Sequence, residues 1–283
     1  MLLFGNDREV NIGKFPDGTM LIKMRPEMAY GFWPLAFSTN ISRATITWLY
    51  ENDAELVALI HVTKHLRRNG ITNICLKMPY IPNARQDRVK SEEDVFTLKS
   101  FAEVINWLDF TSVEVLDPHS SVSEALIDRI KIRTPKKLVE NVIYKLKSAS
   151  GEDNLMMFYP DEGAMKRYSS MFNMPYAFGI KKRDWSTGKI NGLDVSGMTD
   201  MIAGKRILIV DDICSRGGTF YHSAKKLKEL GAKEIYLYVS HCENTILDGE
   251  LLTSGLVDRV FTTNSIFTKE HEKIEVMNND ALS

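Results

Sequence analysis

Ile207-Leu208-Ile209-Val210-Asp211-Asp212-Ile213-Cys214-Ser215-Arg216-Gly217-Gly218-Thr219 runs four apolar residues into two acids and then into a Gly-Gly-Thr turn. The apolar run reads as a buried parallel strand, and Thr219 to Leu230 reads as an amphipathic helix. Glycines let backbone approach a ligand closely, and a helix N-terminus offers unpaired N–H groups to an anion. Two carboxylates at the carboxyl end of a strand can hold sugar hydroxyls or a metal-bound diphosphate. Strand, acidic pair and turn together point to a phosphorylated sugar. An ordinary strand-to-helix turn with solvent-exposed acids remains the alternative.

Outward from this stretch, strands and helices alternate. The pattern predicts strands over 45–50, 73–78, 113–116, 155–159, 175–180, 206–210, 234–240 and 257–262. Helices are expected over 54–69, 95–108, from 135 to about 147, from 162, and over 219–230. Such alternation means α/β architecture, with mainly parallel sheets flanked by helices. The polar run Ser148-Ala149-Ser150-Gly151-Glu152-Asp153 interrupts it near the middle. At 283 residues the chain suits two domains, expected over 1–140 and 141–283.

Lysine plus arginine (36) nearly balances aspartate plus glutamate (37), so no whole-protein field for nucleic acid is indicated. Anion binding must then be local. Cys75, Cys214 and Cys242 stand singly, without metal-ligand or disulfide spacing, which fits a reducing cytoplasm. No apolar run approaches the ~18 residues of a membrane span and no signal peptide is read at the N-terminus, so a soluble cytoplasmic protein is expected.

A second stretch, Met78-Pro79-Tyr80-Ile81-Pro82-Asn83-Ala84-Arg85-Gln86-Asp87-Arg88, resembles the Pro-Tyr-Ala-Arg-Gln-Asp segment of the ribose-phosphate diphosphokinases. The Asp211–Thr219 stretch is similar to the phosphoribosyl-diphosphate motif of the type I phosphoribosyltransferase fold to which they belong. Lys14-Phe15-Pro16-Asp17-Gly18, Asp117-Pro118-His119, Pro160-Asp161-Glu162-Gly163-Ala164-Met165-Lys166-Arg167 and Lys181-Lys182-Arg183 match in the family's order. The resemblance runs from about Lys14 to Thr263. It implies two type I phosphoribosyltransferase-like domains and transfer of a diphosphoryl group from ATP to the anomeric hydroxyl of ribose 5-phosphate, releasing AMP. It also implies magnesium as cofactor, small-molecule substrates only, and a homo-oligomer of two or more subunits.

The resemblance further implies roles. Lys181 and Arg183 would be catalytic, stabilising the charge that spreads over the phosphoryl group. They alternate and so share a face of an extended segment, with Asp184–Lys189 as a covering loop. His119 and Asp161 would hold the magnesium on ATP. Arg85 and Gln86 would bind ATP, a guanidinium suiting both phosphate and adenine face. Phe15 and Asp17 would contact adenine from a neighbouring subunit, although a Pro-Asp-Gly turn between two strands explains them structurally as well. Ser215, Arg216, Gly217, Gly218 and Thr219 would cradle the sugar 5-phosphate, with Asp211 and Asp212 on the ribose hydroxyls.

The chain also departs from the family. About one leading strand–helix unit is expected to be reduced, and the chain stops soon after Ile274-Glu275-Val276. Thr19 stands where the family is usually acidic. Ser215-Arg216 replaces Asp-Thr, which removes one negative charge and adds one positive charge. That change fits a tighter grip on an ordinary 5-phosphate, an acceptor with more negative charge such as the diphosphate of ADP-ribose, or an arginine turned to solvent. A phosphoribosyltransferase and a non-catalytic regulatory subunit are the other readings. Arg85-Gln86-Asp87 and Lys181-Lys182-Arg183 argue against the first, the retained acids and cations against the second.

Overall fold

A computed structural model describes residues 1–4, 8–24, 43–150, 154–183 and 190–279. It divides into two compact units, Met1–Arg133 and Thr134–Ser283.

In the first unit, β1 (Leu2–Phe4), β2 (Arg8–Glu9) and the hairpin β3 (Asn11–Lys14) and β4 (Met20–Lys23) precede the α/β core. That core is β5 (Arg43–Trp48), α1 (Ala54–Arg68), β6 (Asn73–Lys77), α2 (Thr97–Trp107), β7 (Ser112–Leu116), α3 (Val122–Leu126) and β8 (Ile130–Arg133). The six-stranded sheet has the order β2-β1-β5-β6-β7-β8, with β5 to β8 parallel and β1 antiparallel to both its neighbours. Helix α1 buries Ala58, Leu59, Val62 and Leu66, a spacing that puts one stripe on the sheet. Trp48 is fully buried, and its indole N–H donates to Glu55 at 2.9 Å, satisfying the one polar atom of the ring.

The second unit comprises α4 (Lys136–Ser150), β9 (Leu155–Tyr159), α5 (Glu162–Tyr168), β10 (Tyr176–Arg183), β11 (Ile190–Gly197), β12 (Arg206–Cys214), α6 (Gly218–Glu229), β13 (Glu234–Cys242), β14 (Arg259–Thr263) and β15 (Ile274–Met277). Helix α4 lies wholly within this unit. The buried Arg206 guanidinium ties it to the sheet, donating to the Leu146 carbonyl at 2.7 Å, Glu234 at 2.8 Å and the Tyr236 hydroxyl at 2.9 Å. The sheet order is β11-β10-β9-β12-β13-β14-β15, parallel except for the β10–β11 pair. All five residues of β9 are buried, as an apolar strand covered on both faces requires.

Topology fixes where a ligand can sit. From β9 the chain steps to β10 on one side, then returns through β12 on the other. The order therefore reverses between β9 and β12, and open α/β sheets bind ligands at the carboxyl ends beside such a switch point. Asp161 follows β9 by two residues, and Asp211 and Asp212 lie near the carboxyl end of β12.

Candidate active site

The acids of the Asp211–Thr219 stretch lie inside a strand, not after it. Pairing of β12 with β13 continues past Val210, through Asp211 with Val239 and Ile213 with His241 to Cys214 with Cys242. Successive strand residues face opposite sides of a sheet, so the two acids have different surroundings. Asp212 is almost fully buried and takes an ion pair from Arg167 of α5 at 3.2 Å. Asp211 is half-buried, and one of its oxygens accepts from the Asp212 backbone N–H at 3.0 Å. Burial raises the Asp211 carboxyl well above the usual carboxylate range, and the charges of Asp212 and Asp161 add to the rise. A carboxylate held in that state is stabilised by whatever brings hydroxyl donors or positive charge to it.

Asp161 caps α5, its Oδ1 accepting from the Ala164 N–H at 3.0 Å. Asp161 follows β9 and Asp211 lies near the carboxyl end of β12, its parallel neighbour in the sheet.

The turn itself starts α6. Gly217 has a φ of 80°, in the left-handed region that favours glycine, and the first helical bond runs from Tyr221 N–H to Gly217 carbonyl at 2.9 Å. The N–H groups of Gly218, Thr219 and Phe220 therefore have no helical acceptor and face outward at the helix start, where an anion is favoured. Arg216 is exposed at this turn.

In the first unit, two adjacent parallel strands end in the other predicted residues. Beyond β6, Asn83 turns the chain with a φ of 63°; beyond β7, Asp117 does so with a φ of 42°. Asn and Asp tolerate this conformation better than other residues with side chains. The two strand ends are bound together by Met78 N–H to the Glu114 carbonyl at 2.8 Å and Leu116 N–H to the Pro79 carbonyl at 3.0 Å. Arg85 and Gln86 are exposed beyond β6, with Gln86 accepting from the Thr97 hydroxyl at 2.5 Å. His119 is half-buried beyond β7.

Between them lies Asp87, 6% exposed, gripped by the Arg88 fork at 2.8 and 2.9 Å. That fork lowers its carboxyl to about 2. Asp87 thus stays ionised beside the predicted nucleotide residues.

Phe15 is 49% exposed at the tip of the β3–β4 hairpin. Asp17 accepts from both the backbone and the hydroxyl of Thr19, at 2.9 and 2.7 Å, so its carboxylate braces the turn. Lys181 and Arg183 fall in β10, where the register against β11 shifts between Lys182 and Arg183 and strict alternation is broken. Their side chains and the whole of Asp184–Lys189 lie outside the described residues. Among the described residues, no group of three or more His, Cys, Asp or Glu side chains is arranged to hold a metal ion.

The family model for the phosphoribosyl transferase domain matches residues 164–275, which include the turn and β12. Along nearly the whole chain, a ribose-phosphate pyrophosphokinase of Pyrococcus abyssi is 28% identical, covering 96% of this chain and 89% of that protein. One from Sulfolobus acidocaldarius is 29% identical, covering 89% and 82%. Over most of its length the chain is thus similar to ribose-phosphate pyrophosphokinases. Its fold agrees with that of a solved phosphoribosylpyrophosphate synthetase from Mycobacterium smegmatis, with a TM-score of 0.73 at 18% identity over 95% of this chain and 86% of that one.

The turn is held by residues that sequence reading did not single out. A Cβ on Gly249 would lie 1.9 Å from the Arg216 carbonyl oxygen, and one on Gly217 would lie 2.9 Å from Leu251 Cδ2. The segment after β13 therefore packs directly against the turn. Gly249→Ala is expected to push the turn away, lowering stability by about 1–3 kcal/mol as overpacking does. Thermal unfolding measures it, and a melting temperature equal to that of the unchanged protein would show the close approach to be unimportant.

Proposed function

We propose that the protein transfers the β,γ-diphosphoryl group of ATP to the anomeric hydroxyl of a ribose-5-phosphate group, releasing AMP. The hydroxyl oxygen bonds to the β-phosphorus, the bond from that phosphorus to the bridging oxygen breaks, and its electron pair leaves on the α-phosphate of AMP. The hydroxyl proton passes to solvent. Supporting this above all is the union of Asp211 and the Ser215–Thr219 turn at the switch point of one sheet, in a chain similar to ribose-phosphate pyrophosphokinases over most of its length. Asp211 would accept from ribose hydroxyls, and the turn N–H groups would hold the 5-phosphate. Arg85, Gln86 and His119 cluster at two adjoining strand ends and would take ATP, with Phe15 supplied by a neighbouring subunit of a homo-oligomer.

Magnesium prefers oxygen ligands and keeps several waters, so it suits a site with few protein donors and many phosphate oxygens. His119 in the first unit and Asp161 in the second are each candidate ligands for it, directly or through water, and when bound it would neutralise phosphate charge. Lys181 and Arg183 would stabilise the transferring group. All three thiols are buried and free, which fits a reducing compartment such as the cytoplasm.

Ribose 5-phosphate is the acceptor favoured here, giving phosphoribosyl diphosphate. Exposed Arg216 favours a second acceptor, ADP-ribose, whose diphosphate brings further charge to the same end and whose product would serve NAD synthesis. Arg216→Thr is expected to lower the use of ADP-ribose relative to ribose 5-phosphate by about tenfold, the worth of one charge-assisted contact. AMP release with each acceptor reads this ratio. An unchanged ratio removes Arg216 from acceptor choice.

A further inference from the structure

We infer that Glu243 is a positioning residue for the phosphate turn, and that Ser215 serves the turn rather than the phosphate. The inference rests on the turn holding a phosphate ester, as proposed above. Glu243 directly follows β13, across from Cys214, the residue that leads into the turn. Its backbone N–H donates to the Cys214 carbonyl at 2.8 Å. Its carboxylate Oε1 accepts from the Ser215 hydroxyl at 2.7 Å, and Oε2 accepts from the Thr245 hydroxyl at 3.0 Å. One side chain thus ties the first residue of the turn to the segment that packs under it. Gly249 against the Arg216 carbonyl and Leu251 against Gly217 complete that bed. The bed is anchored in turn by Asn244, which donates to the Thr268 hydroxyl at 2.9 Å and accepts from its N–H at 3.0 Å.

The direction of the Ser215 bond carries the chemistry. A serine hydroxyl has one proton, and here it goes to Glu243. Toward a phosphate, the Ser215 side chain could offer only lone pairs, which repel it. An acid beside an anion site is itself unfavourable for binding, so its placement calls for a compensating role, and ordering the turn supplies one. The phosphate is left to the backbone N–H groups at the start of α6.

The two roles for Ser215 predict opposite signs. If Ser215 donated to phosphate, removing Glu243 would free its proton and remove a negative charge, so binding would tighten. If Glu243 positions the turn, removing it loosens the turn and binding weakens.

The test compares Glu243→Ala, Glu243→Gln, Ser215→Ala and the double Ser215→Ala/Glu243→Ala variant. The first reading is amide exchange of residues 216–219 in the ligand-free protein. Exchange is expected to rise about tenfold in Glu243→Ala, the loss of one hydrogen bond to a charged group. It is expected to stay within about twofold of the unchanged protein in Glu243→Gln, whose carbonyl still accepts from Ser215 while Thr245 turns to accept from its amide. The second reading is kinetic: KM for ribose 5-phosphate rises about tenfold in Glu243→Ala while KM for ATP is unchanged, and the double variant is no worse than Glu243→Ala alone.

Unchanged exchange, a lower KM for ribose 5-phosphate, or effects that multiply in the double variant would each overturn the proposal. If Glu243→Ala does not fold, Ser215→Ala alone reads the tether by exchange, with the same tenfold expectation and the same contrary result. Absence of AMP with any acceptor in the unchanged protein refutes the proposed reaction instead, and the exchange rates still decide the role of Glu243.

Discussion

Lys181→Ala is expected to lower kcat for AMP release by about a thousandfold while changing the KM of either substrate less than about threefold. Phosphoryl transfer asks little covalent chemistry of a protein; it asks for charge stabilisation that is stronger in the transition state than in the bound substrates. A cation whose work is confined to that stage is lost from kcat and not from KM. Lys181 stands in the second half of β10, in the same sheet as Asp211 and beside β9, which Asp161 follows, and leads into the Asp184–Lys189 segment. Arg183→Ala is expected to act in the same way. A Lys181→Ala protein with kcat near that of the unchanged protein would take this residue out of the chemistry.

Asp211→Asn is expected to lose activity by about a hundredfold or more and yet to be the more stable protein at neutral pH. Asn keeps the oxygen that accepts from the Asp212 N–H and removes the charge that burial and two neighbouring acids oppose. The carboxyl of Asp211 is raised on folding, so its ionisation costs nothing at pH values below the unfolded range near 4. The cost grows as pH rises from there toward the raised folded value. The gain in the variant is expected to follow the same course, small near pH 4 and about 2–4 °C in melting temperature at pH 7. Thermal unfolding across this range, set beside AMP release, reads both halves. A variant less stable than the unchanged protein at pH 7 contradicts the account of Asp211 as a group held under strain for its ligand.

These two residues show how much the sequence disclosed. Buried parallel strands are legible because they are short, apolar and bounded by turns, as Leu155–Tyr159 is. The two α/β units followed from their alternation with amphipathic helices. Asp211 and Asp212 were legible as chemistry but not as strand, because aspartate disfavours sheet by itself and only pairing with β13 holds it there. β11 was missed because Ile190–Gly197 is glycine-broken and lies at a sheet edge, where β10 alone pairs with it. β1 is three residues long, too short to show a period.

The supports of the site were the least legible. Arg167 sits within a stretch quoted for its resemblance, yet nothing local pairs it with Asp212, 45 residues on. Glu243 and Gly249 act on a turn about 30 residues earlier, and only the register of β12 against β13 brings them there. Gly249 follows an aspartate and reads as an ordinary turn residue, which conceals its contact with Arg216. Residue types announce a phosphate turn; the side chains that hold it still are set by tertiary structure.

The most direct test of the account is phosphorus NMR of the products formed from magnesium-ATP with ribose 5-phosphate and, separately, with ADP-ribose. The account predicts AMP together with a new diphosphate on the anomeric carbon of ribose 5-phosphate. Formation with ADP-ribose alone would keep the reaction and move the acceptor. No AMP with either acceptor would contradict the central claim.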